Sequence, residues 1–448
     1  MPRKRAQVQP RKKSASANAR VSASVDELAL AAQARGDESL ETGRYIVTFK
    51  EGAAEEGLRS LGAKSRRLRV ADARDFDDQA ATLEAVGDAD ALVFPEIGVA
   101  VLGGDSVSEL GMKAGAEIAA DSPVEAIEPE YFAFANAAPI LTRIDQAEYL
   151  RGFARAAQAI AHDLGVTDED DREAEFGEDA LALGATWGLV RCKVPPSLRS
   201  GAGTRVAVLD NGMDLGHPDF AGRTIVGQTF VGQPVQTTSI HGTHLIGTAC
   251  GPKSPPGTIP RYGIGYRTGI FVGKVLSNSG AGTTASILAG YNWAIANKCV
   301  AILGGFGSAS PVQAAYTAAG QAALTRGCVI IASAGSGGAA VGAPANSPTI
   351  MSVSSLEPNL TPSVFSNVGK IDIAAPGRDI FSSVPRPQKY ATISGTSPAA
   401  AHVAGCAALW AETSPALRGI ALWRKLLTTA KLLPFPPARV GAGLVQAP

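Results

Sequence analysis

The fold is indicated first by the stretch VAVLDNGMDLGHPDF, which occupies residues 206–220. Its opening residues form a continuous aliphatic run, which is typical of a strand buried on both faces of a sheet, and the run ends at Asp210. Gly212 then permits a tight turn. Active sites in parallel sheets gather at the carboxyl ends of the strands, so Asp210 stands where catalytic residues are expected.

Other aliphatic runs follow the same pattern from residue 187 to residue 448, and helix-like segments separate them. They lie at residues 270–275, 300–303, 329–332 and 350–353. This alternation predicts an α/β fold with a doubly wound, mostly parallel sheet and helices on both faces.

Two further motifs place reactive side chains beside helices. In HGTHLIGTACG, residues 241–251, His241 precedes small and apolar residues that can form a closely packed helix. In SGTSPAAAHVAGCAALW, residues 394–410, Ser397 stands before Pro398 and a long Ala-rich segment. Proline is favoured at the first position of a helix. Ser397 is therefore predicted at a helix amino terminus, where partial positive charge favours a developing anion.

Each of these residues also has a purely structural interpretation. An aspartate close to a glycine is commonly a turn residue, a lone histidine is usually a packed side chain, and a serine at a helix start is usually an N-cap. A metal site at His241 and His244 lacks an adjacent set of carboxylate ligands. Together, however, the three residues supply the orienting acid, the base and the nucleophile of acyl transfer.

The order Asp210, His241, Ser397, with these flanking sequences, resembles the subtilisin-like (subtilase, S8) serine protease family. The resemblance covers residues 187–433. It implies a subtilisin-like fold and a serine endopeptidase that hydrolyses peptide bonds through an acyl-enzyme. The three residues match the family's catalytic triad, and His244 matches a non-catalytic histidine of the same helix.

The N-terminal half predicts a second, smaller domain of α+β, ferredoxin-like type. Its helices are expected at residues 106–113 and at either 55–61 or 77–86. This part resembles the inhibitory propeptide of subtilases, which implies a self-inhibited zymogen whose own propeptide is an intramolecular inhibitor. Its strand-like runs lie at residues 45–50, 91–94, 99–102 and 124–135.

These features divide the chain into a basic disordered tail at 1–42, a propeptide-like domain at 43–136, a helical acidic linker at 137–185 and a catalytic domain at 186–448. The tail is assigned because the first 25 residues hold seven basic side chains and no acidic one, and the linker because it contains the run TDEDDREAEFGED. Self-cleavage is expected near residues 134–138 by the family pattern, or otherwise within the linker.

A substrate is expected to bind as an extended strand that adds backbone hydrogen bonds to the protein. The resemblance implies that two glycine-rich segments flank it, here SGAG and GGFG. Glycine lets a second backbone approach closely. The family pattern Ser-Leu-Gly is replaced by Gly-Phe-Gly, which alters the shape of the subsite. The implied substrate-binding residues are Ser279, Gly280, Gly282, Gly305, Phe306 and Gly307.

The oxyanion hole departs most from the family. Ser336 stands where the family has an asparagine that donates its side-chain amide to the oxyanion. In subtilisin the loss of that donor lowers kcat about 10²–10³-fold. We therefore expect slow or substrate-restricted turnover, with Ser336 and the backbone N–H of Ser397 as donors. Pro398, Ala401 and Asn211 also replace usual family residues, but none of them removes a triad member.

No cofactor is required for this chemistry. Asp219, in HPDF, matches a common calcium ligand of the family and is a candidate ligand here. The loop that usually supplies the other oxygens is not recognisable in GPKSPPGTIPRYGIGYR.

Composition limits the partners and the compartment. The 41 basic and 41 acidic side chains give a formal net charge of zero, which excludes bulk attraction to nucleic acid. No uninterrupted apolar stretch reaches the roughly 18 residues of a membrane span. No apolar region follows the basic N-terminus, so we expect a cytoplasmic protein or one exported by a non-classical route. The five scattered cysteines predict free, buried thiols.

The sequence thus predicts a serine endopeptidase that acts on a polypeptide substrate. Two alternatives stay open. One is a processing protease or transpeptidase dedicated to a single partner. The other is a peptide-binding pseudoprotease whose weakened oxyanion hole leaves negligible turnover.

Overall fold

The structure is a computed structural model and describes residues 20–35, 40–64, 68–111, 114–115, 118–135, 184–257 and 259–448. The strands are β1 (Glu41–Phe49), β2 (Val70–Asp72), β3 (Ala91–Phe94), β4 (Val99–Leu102), β5 (Val124–Ala135), β6 (Arg205–Asp210), β7 (Ile225–Thr229), β8 (Gly269–Lys274), β9 (Ala281–Thr283), β10 (Ala301–Gly304), β11 (Phe306–Gly307), β12 (Val329–Ser333), β13 (Met351–Leu356), β14 (Ile373–Pro376), β15 (Ile380–Ser383) and β16 (Tyr390–Ile393). The helices are α1 (Val25–Arg35), α2 (Ala54–Lys64), α3 (Gly104–Glu109), α4 (Trp187–Arg191), α5 (Ile240–Cys250), α6 (Thr284–Ala296), α7 (Ala314–Thr325), α8 (Thr396–Thr413), α9 (Ile420–Thr429) and α10 (Pro437–Val440). We call residues 40–135 the small domain and residues 184–448 the catalytic unit.

A parallel sheet of seven strands forms the centre of the catalytic unit, in the order β14-β13-β12-β10-β6-β8-β7. On the inner strand β6, Val206 and Val208 belong to the core shared with α5 and α8. Ala207 and Leu209 belong to the core shared with α6 and α7 on the opposite face. Burial on both faces explains why the strand is aliphatic throughout, and the predicted doubly wound α/β fold is confirmed.

The predicted strands of this sheet each begin within one residue of their expected start. Two strands, β7 and β14, were not predicted. Strand β7 reads IVGQT and is only partly buried along its length, so it lacks the continuous apolar run that marks its neighbours. Strand β14 is short and ends in a proline.

The small domain is built on an antiparallel sheet in the order β5-β1-β4-β3, with β2 added parallel to β3 at one edge. Helix α2 follows β1, and α3 follows β4. The arrangement fits the predicted α+β type. Of the two candidate first helices, residues 55–61 lie within α2, whereas residues 77–86 contain only short 3₁₀ turns.

The tail predicted as disordered at residues 1–42 needs correction in its described part. Residues Val25–Arg35 form helix α1, and Val21, Val25 and Leu28 are buried. These three apolar residues repeat at helical spacing, a signal that the surrounding basic charge obscured. Ser24 and Glu27 form a reciprocal cap, because each backbone N–H donates to the other side chain. Residues 1–19 and most of the predicted linker lie outside the described residues.

Strand β5 connects the two parts of the molecule. Its first part pairs with β1 in the small domain, and its last residues pair with β9 and β11 of the catalytic unit. The small domain's sheet therefore continues into the groove that carries the candidate site.

The five cysteines are free and buried, as predicted. Burial raises the pKa of Cys250 and of Cys328 to about 12, so neither is a ready nucleophile. None of the described helices is long and apolar enough to cross a membrane.

Candidate active site

Asp210 ends the inner strand β6 at the carboxyl edge of the parallel sheet, as the sequence predicts. The chain turns away through Gly212, where φ is +99° and a Cβ would lie only 2.2 Å from the carbonyl oxygen of Val235. Glycine is therefore required for this turn. The Asp210 carboxylate is buried, and its Oδ1 accepts the N–H of Asn211 at 2.8 Å.

His241 lies in the first turn of α5, directly beside Asp210. Its Nδ1 is 2.9 Å from both carboxylate oxygens of Asp210. Because a carboxylate accepts hydrogen bonds, it holds the ring proton on Nδ1 and leaves the Nε2 lone pair able to accept a proton. Nε2 is buried and has no hydrogen-bond partner among the described residues.

Ser397 is fully buried in the first turn of α8. Its Oγ donates to the carbonyl oxygen of Gly305 at 3.1 Å. Gly305 also touches the other two residues, since a Cβ there would lie 2.8 Å from Asp210 Oδ2 and 2.9 Å from His241 Cε1. The three predicted residues thus converge around Gly305, with the serine hydroxyl turned toward a carbonyl.

Ser336 lies in the loop after β12, against the residue that precedes Ser397. Its Oγ accepts the N–H of Thr396 at 3.1 Å and lies 3.2 Å from Thr396 Oγ1. Thr396 Oγ1 in turn accepts the N–H of Gly335 at 3.0 Å. Two hydroxyls therefore lie together beside the start of α8. Sequence reasoning named Ser336 and missed Thr396, because the contact joins residues 60 positions apart.

A buried cation, Lys274, lies beside the site, and the sequence did not predict it. It ends β8 in register with Asp210. Its Nζ donates to the carbonyl oxygen of Asn211 at 2.5 Å and to Asn278 Oδ1 at 2.8 Å. Burial lowers its pKa to about 8, although the charge of Asp210 acts in the opposite direction. The lysine ties the turn after Asp210 to the wall of the groove.

Two other histidines on these helices stay neutral near neutral pH. His244 Nε2 donates to the carbonyl oxygen of Ile380 at 2.8 Å, and His402 Nδ1 lies 2.9 Å from that of Pro398. Burial lowers the pKa of His244 to about 3 and that of His402 to about 4. In the part of the chain that is described, no group of three or more histidine, cysteine or acidic side chains is arranged to hold a metal ion.

Strand β5 runs between β9 and β11 and pairs antiparallel with both. On the β9 side, the N–H of Ala135 donates to the carbonyl oxygen of Gly280 at 2.9 Å. On the β11 side, Phe134 stands opposite Gly307 and Ala135 opposite Phe306. A segment of the chain itself therefore fills the groove predicted for substrate.

The remaining predicted groove residues have different surroundings. Gly282 pairs with Ala133, and a Cβ at Gly282 would lie 2.5 Å from the carbonyl oxygen of Val275. Glycine at this position avoids a clash with the residue that follows β8. The hydroxyl of Ser279 lies 2.7 Å from that of Ser277 on the loop before β9.

Two glutamates of β5 cap helices of the catalytic unit. Glu130 Oε1 accepts the N–H of Ala285 at 2.9 Å, at the start of α6. Glu128 Oε1 accepts the N–H of Ala314 at 3.0 Å, at the start of α7. Negative charge is favourable at a helix amino end. Burial nevertheless raises the pKa of Glu128.

Glu130 also belongs to a fully buried ion pair. Arg44 NH2 donates to Glu130 Oε1 at 2.8 Å, and both side chains are 0% exposed. Arg44 also donates to Thr283 Oγ1 at 3.1 Å and to the carbonyl oxygen of Val21 at 2.8 Å. Although burial opposes ionisation, the charge of Arg44 holds the pKa of Glu130 below its ordinary value. Arg44 thus joins the N-terminal segment, the small domain and the catalytic unit.

A cavity of about 360 Å³ adjoins Ser336. Small residues of the loops after β11 and β12 form most of its wall, and Phe134 of β5 contributes to it. None of the described residues that line it is charged. The cavity therefore suits an uncharged side chain.

Asp219, the candidate calcium ligand, is fully buried in the loop after β6. Its Oδ1 accepts the hydroxyl of Tyr390 at 2.9 Å, and its Oδ2 accepts that of Tyr262. Calcium takes about six to eight oxygen ligands from carboxylates, carbonyls and water, whereas both phenols act here as donors. The residues around Asp219 therefore do not fit a calcium ion.

Comparison with known proteins agrees with this geometry. The model of the subtilase family matches residues 201–443. An alkaline protease of Alkalihalobacillus alcalophilus is 33% identical over 296 residues, which are 64% of this chain and 76% of that protein. Subtilisin Savinase of Lederbergia lenta is 34% identical over 273 residues, 59% of this chain and 98% of that protein. The crystal structure of a cold adapted subtilisin-like serine proteinase, 30% identical, superposes with a TM-score of 0.53 over 59% of this chain and 98% of that one. The chain belongs to the subtilase family and is a serine endopeptidase.

Proposed function

We propose that the chain is made as a self-inhibited zymogen in which Asp210, His241 and Ser397 are the catalytic triad and residues 43–136 are the inhibitor. The observation that carries this proposal is the position of β5, which lies as an added strand between β9 and β11 beside these three side chains. A substrate peptide would add to the same two strands in the same way.

Catalysis begins when the Ser397 hydroxyl turns from the Gly305 carbonyl to His241 Nε2. As Ser397 Oγ attacks the carbonyl carbon of the scissile bond, its proton passes to Nε2, and Asp210 stabilises the imidazolium that forms. The proton then passes to the leaving amine, and the peptide is left as an ester of Ser397. Water then attacks the carbonyl carbon of the ester and gives a proton to His241 Nε2. This proton passes to Ser397 Oγ as the bond between Oγ and the acyl carbon breaks, which restores the serine hydroxyl and releases the carboxylic acid.

The negative charge that develops on the carbonyl oxygen is met by the N–H of Ser397, at the amino end of α8, and by the hydroxyl of Ser336. Ser336 Oγ accepts the N–H of Thr396 and lies beside the Thr396 hydroxyl, and during catalysis its own hydroxyl would turn toward the oxyanion. A hydroxyl reaches less far than the asparagine amide of the family. We therefore expect slower turnover than in subtilases that carry the asparagine.

The substrate class is a polypeptide with an uncharged side chain placed toward the cavity beside Ser336. Among the described residues no charged group lines that cavity, so a buried charge would find no partner in them. The bond cut during self-processing lies near residues 134–138, because Phe134 and Ala135 pair with β11 beside Gly305.

The zymogen proposal is tested with the full chain and with its Ser397→Ala form. The wild type should lose an N-terminal fragment of about the mass of residues 1–136 and should react with a fluorophosphonate probe, as followed by intact mass. Ser397→Ala should stay full length and unlabelled. Ser414→Ala, at the far end of the same helix, is the matched control and should behave as the wild type. A wild type that is neither cut nor labelled would contradict the proposal.

A further inference from the structure

We propose that Asp219, Tyr262 and Tyr390 form a metal-free clamp that takes the place of the calcium ion that the family resemblance implies at Asp219. The clamp fastens the β15–β16 hairpin, which leads to Ser397, onto the loop that follows Asp210. It is a feature of the catalytic unit and does not depend on the zymogen proposal.

The first argument is the donor set. Each oxygen of the buried Asp219 carboxylate accepts one phenolic hydroxyl, from Tyr390 and from Tyr262. A phenolic hydroxyl carries its proton at neutral pH, so both tyrosines act as donors to the carboxylate. Hydrogen bonds to a carboxylate are stronger than those between neutral groups. Both carboxylate oxygens therefore already accept a hydrogen bond from a protein donor.

The second argument is the packing that holds the two hydroxyls in place. Tyr262 meets Tyr390 edge to face with 6.1 Å between ring centroids, and it meets Phe381 in the same way at 6.1 Å. Phe381 and Tyr390 stack across the β15–β16 hairpin with centroids 5.6 Å apart. Edge-to-face and stacked rings at these distances attract one another. The rings therefore build the clamp into the hairpin itself.

The third argument is that the same two segments are joined at two further points. Arg386 Nε donates to Asp214 Oδ2 at 2.8 Å, and Arg386 NH2 donates to Asp214 Oδ1 at 2.8 Å. His217 Nε2 donates to the carbonyl oxygen of Lys389 at 2.9 Å. The loop that follows Asp210 carries Asp214, His217 and Asp219. Their partners in the second segment, Arg386, Lys389 and Tyr390, lie in the β15–β16 hairpin that leads to Ser397. The clamp is the buried end of this row of contacts.

The experiment uses the full chain with Ser397→Ala, so that proteolysis does not interfere, and measures Tm in calcium chloride and in EDTA. Tyr262→Phe and Tyr390→Phe should each lower Tm by about 2–5 °C, because each removes one hydrogen bond to a buried carboxylate. The loss should be the same in calcium and in EDTA. Tyr266→Phe is the matched control from the same loop. The Tyr266 ring lies against Lys253 and Arg261. The Tm of Tyr266→Phe should stay within about 1 °C of the parent.

The metal question is decided by comparing the calcium response of the parent with that of Asp219→Asn and of Tyr390→Phe. Equal responses in all three, whatever their size, support a clamp without metal at Asp219. A rise of Tm in calcium that is present in the parent and lost in Asp219→Asn would overturn the proposal. Unchanged Tm in both tyrosine variants would overturn it as well. If Asp219→Asn does not fold, the tyrosine variants decide the question, because a loss of Tm that differs between calcium and EDTA would indicate a cation at the carboxylate and overturn the proposal.

Discussion

The buried Arg44–Glu130 pair gives the sharpest prediction for self-inhibition. We expect Arg44→Met to weaken the hold of the small domain on the catalytic unit while leaving the catalytic side chains untouched. Methionine fills a similar apolar volume but removes the charge that faces Glu130. The change also removes the hydrogen bonds to Thr283 in the catalytic unit and to Val21 in the N-terminal segment.

The magnitude follows from the burial of the partner. Removing one member of a buried ion pair costs about 3–5 kcal/mol, because the other charge stays buried without compensation. In the separated small domain Glu130 loses the cover of the catalytic unit, including its contact with Ala285, so most of this cost falls on the inhibited state. Protonation of Glu130 limits the penalty, and we therefore take the lower end of the range. That end corresponds to about 10²-fold weaker inhibition.

The assay dilutes the self-processed chain in steps and measures the rate of peptide hydrolysis at each dilution. Its readout is the protein concentration at which half of the full activity is reached. This concentration should rise about 10²-fold in Arg44→Met. The matched control is Arg59→Met, whose pair with Glu55, at 3.5 Å, has side chains 80% and 72% exposed. Such exposed pairs are worth about 0–1 kcal/mol, so the control should stay within about fivefold of the wild type. An Arg44→Met value within the range of the control would refute the reasoning.

Further predictions concern the oxyanion, the interface and the buried lysine. Ser336→Ala should lower kcat by about 10²-fold with little change in KM, as steady-state kinetics on an uncharged peptide will show. Burial raises the pKa of Glu84, which faces Gly232 across the interface, so inhibition should be strongest at low pH and weaken as pH rises through that raised pKa. Glu84→Gln should remove this trend in the dilution assay. Burial lowers the pKa of Lys274 from 10.5 to about 8, so the unfolded chain binds this proton more tightly. The free energy of unfolding in the Ser397→Ala background should therefore rise across that pH window, and Lys274→Met should flatten the rise in urea titrations.

The sequence predicts well those features that leave a local or periodic signal. The central strands are buried on both faces, so they are aliphatic runs that can be read without a structure. Asp210, His241 and Ser397 each lie at a strand end or helix start, where the flanking glycine or proline marks the position. Strand β7 carries no such mark, because it is only partly buried.

The sequence does not predict contacts between distant side chains that lack a shared motif. Arg44 and Glu130 are 86 positions apart, and neither residue has neighbours that distinguish it from a surface charge. Tyr262 and Tyr390 meet Asp219 only after two loops have folded back on each other. A candidate calcium ligand was therefore assigned by resemblance at Asp219, while the tyrosines that occupy its acceptor sites carried no signal.

The shared strand β5 also decides how inhibition depends on protein concentration. While the chain is continuous, the last residues of β5 are tethered to the groove, and the fraction of grooves that they fill is the same at every dilution. A cut behind β5 turns this tethered segment into a separate binding partner whose occupancy obeys mass action. One broken peptide bond thus changes no contact in the groove, yet it makes the enzyme responsive to dilution and to any process that removes the small domain from solution.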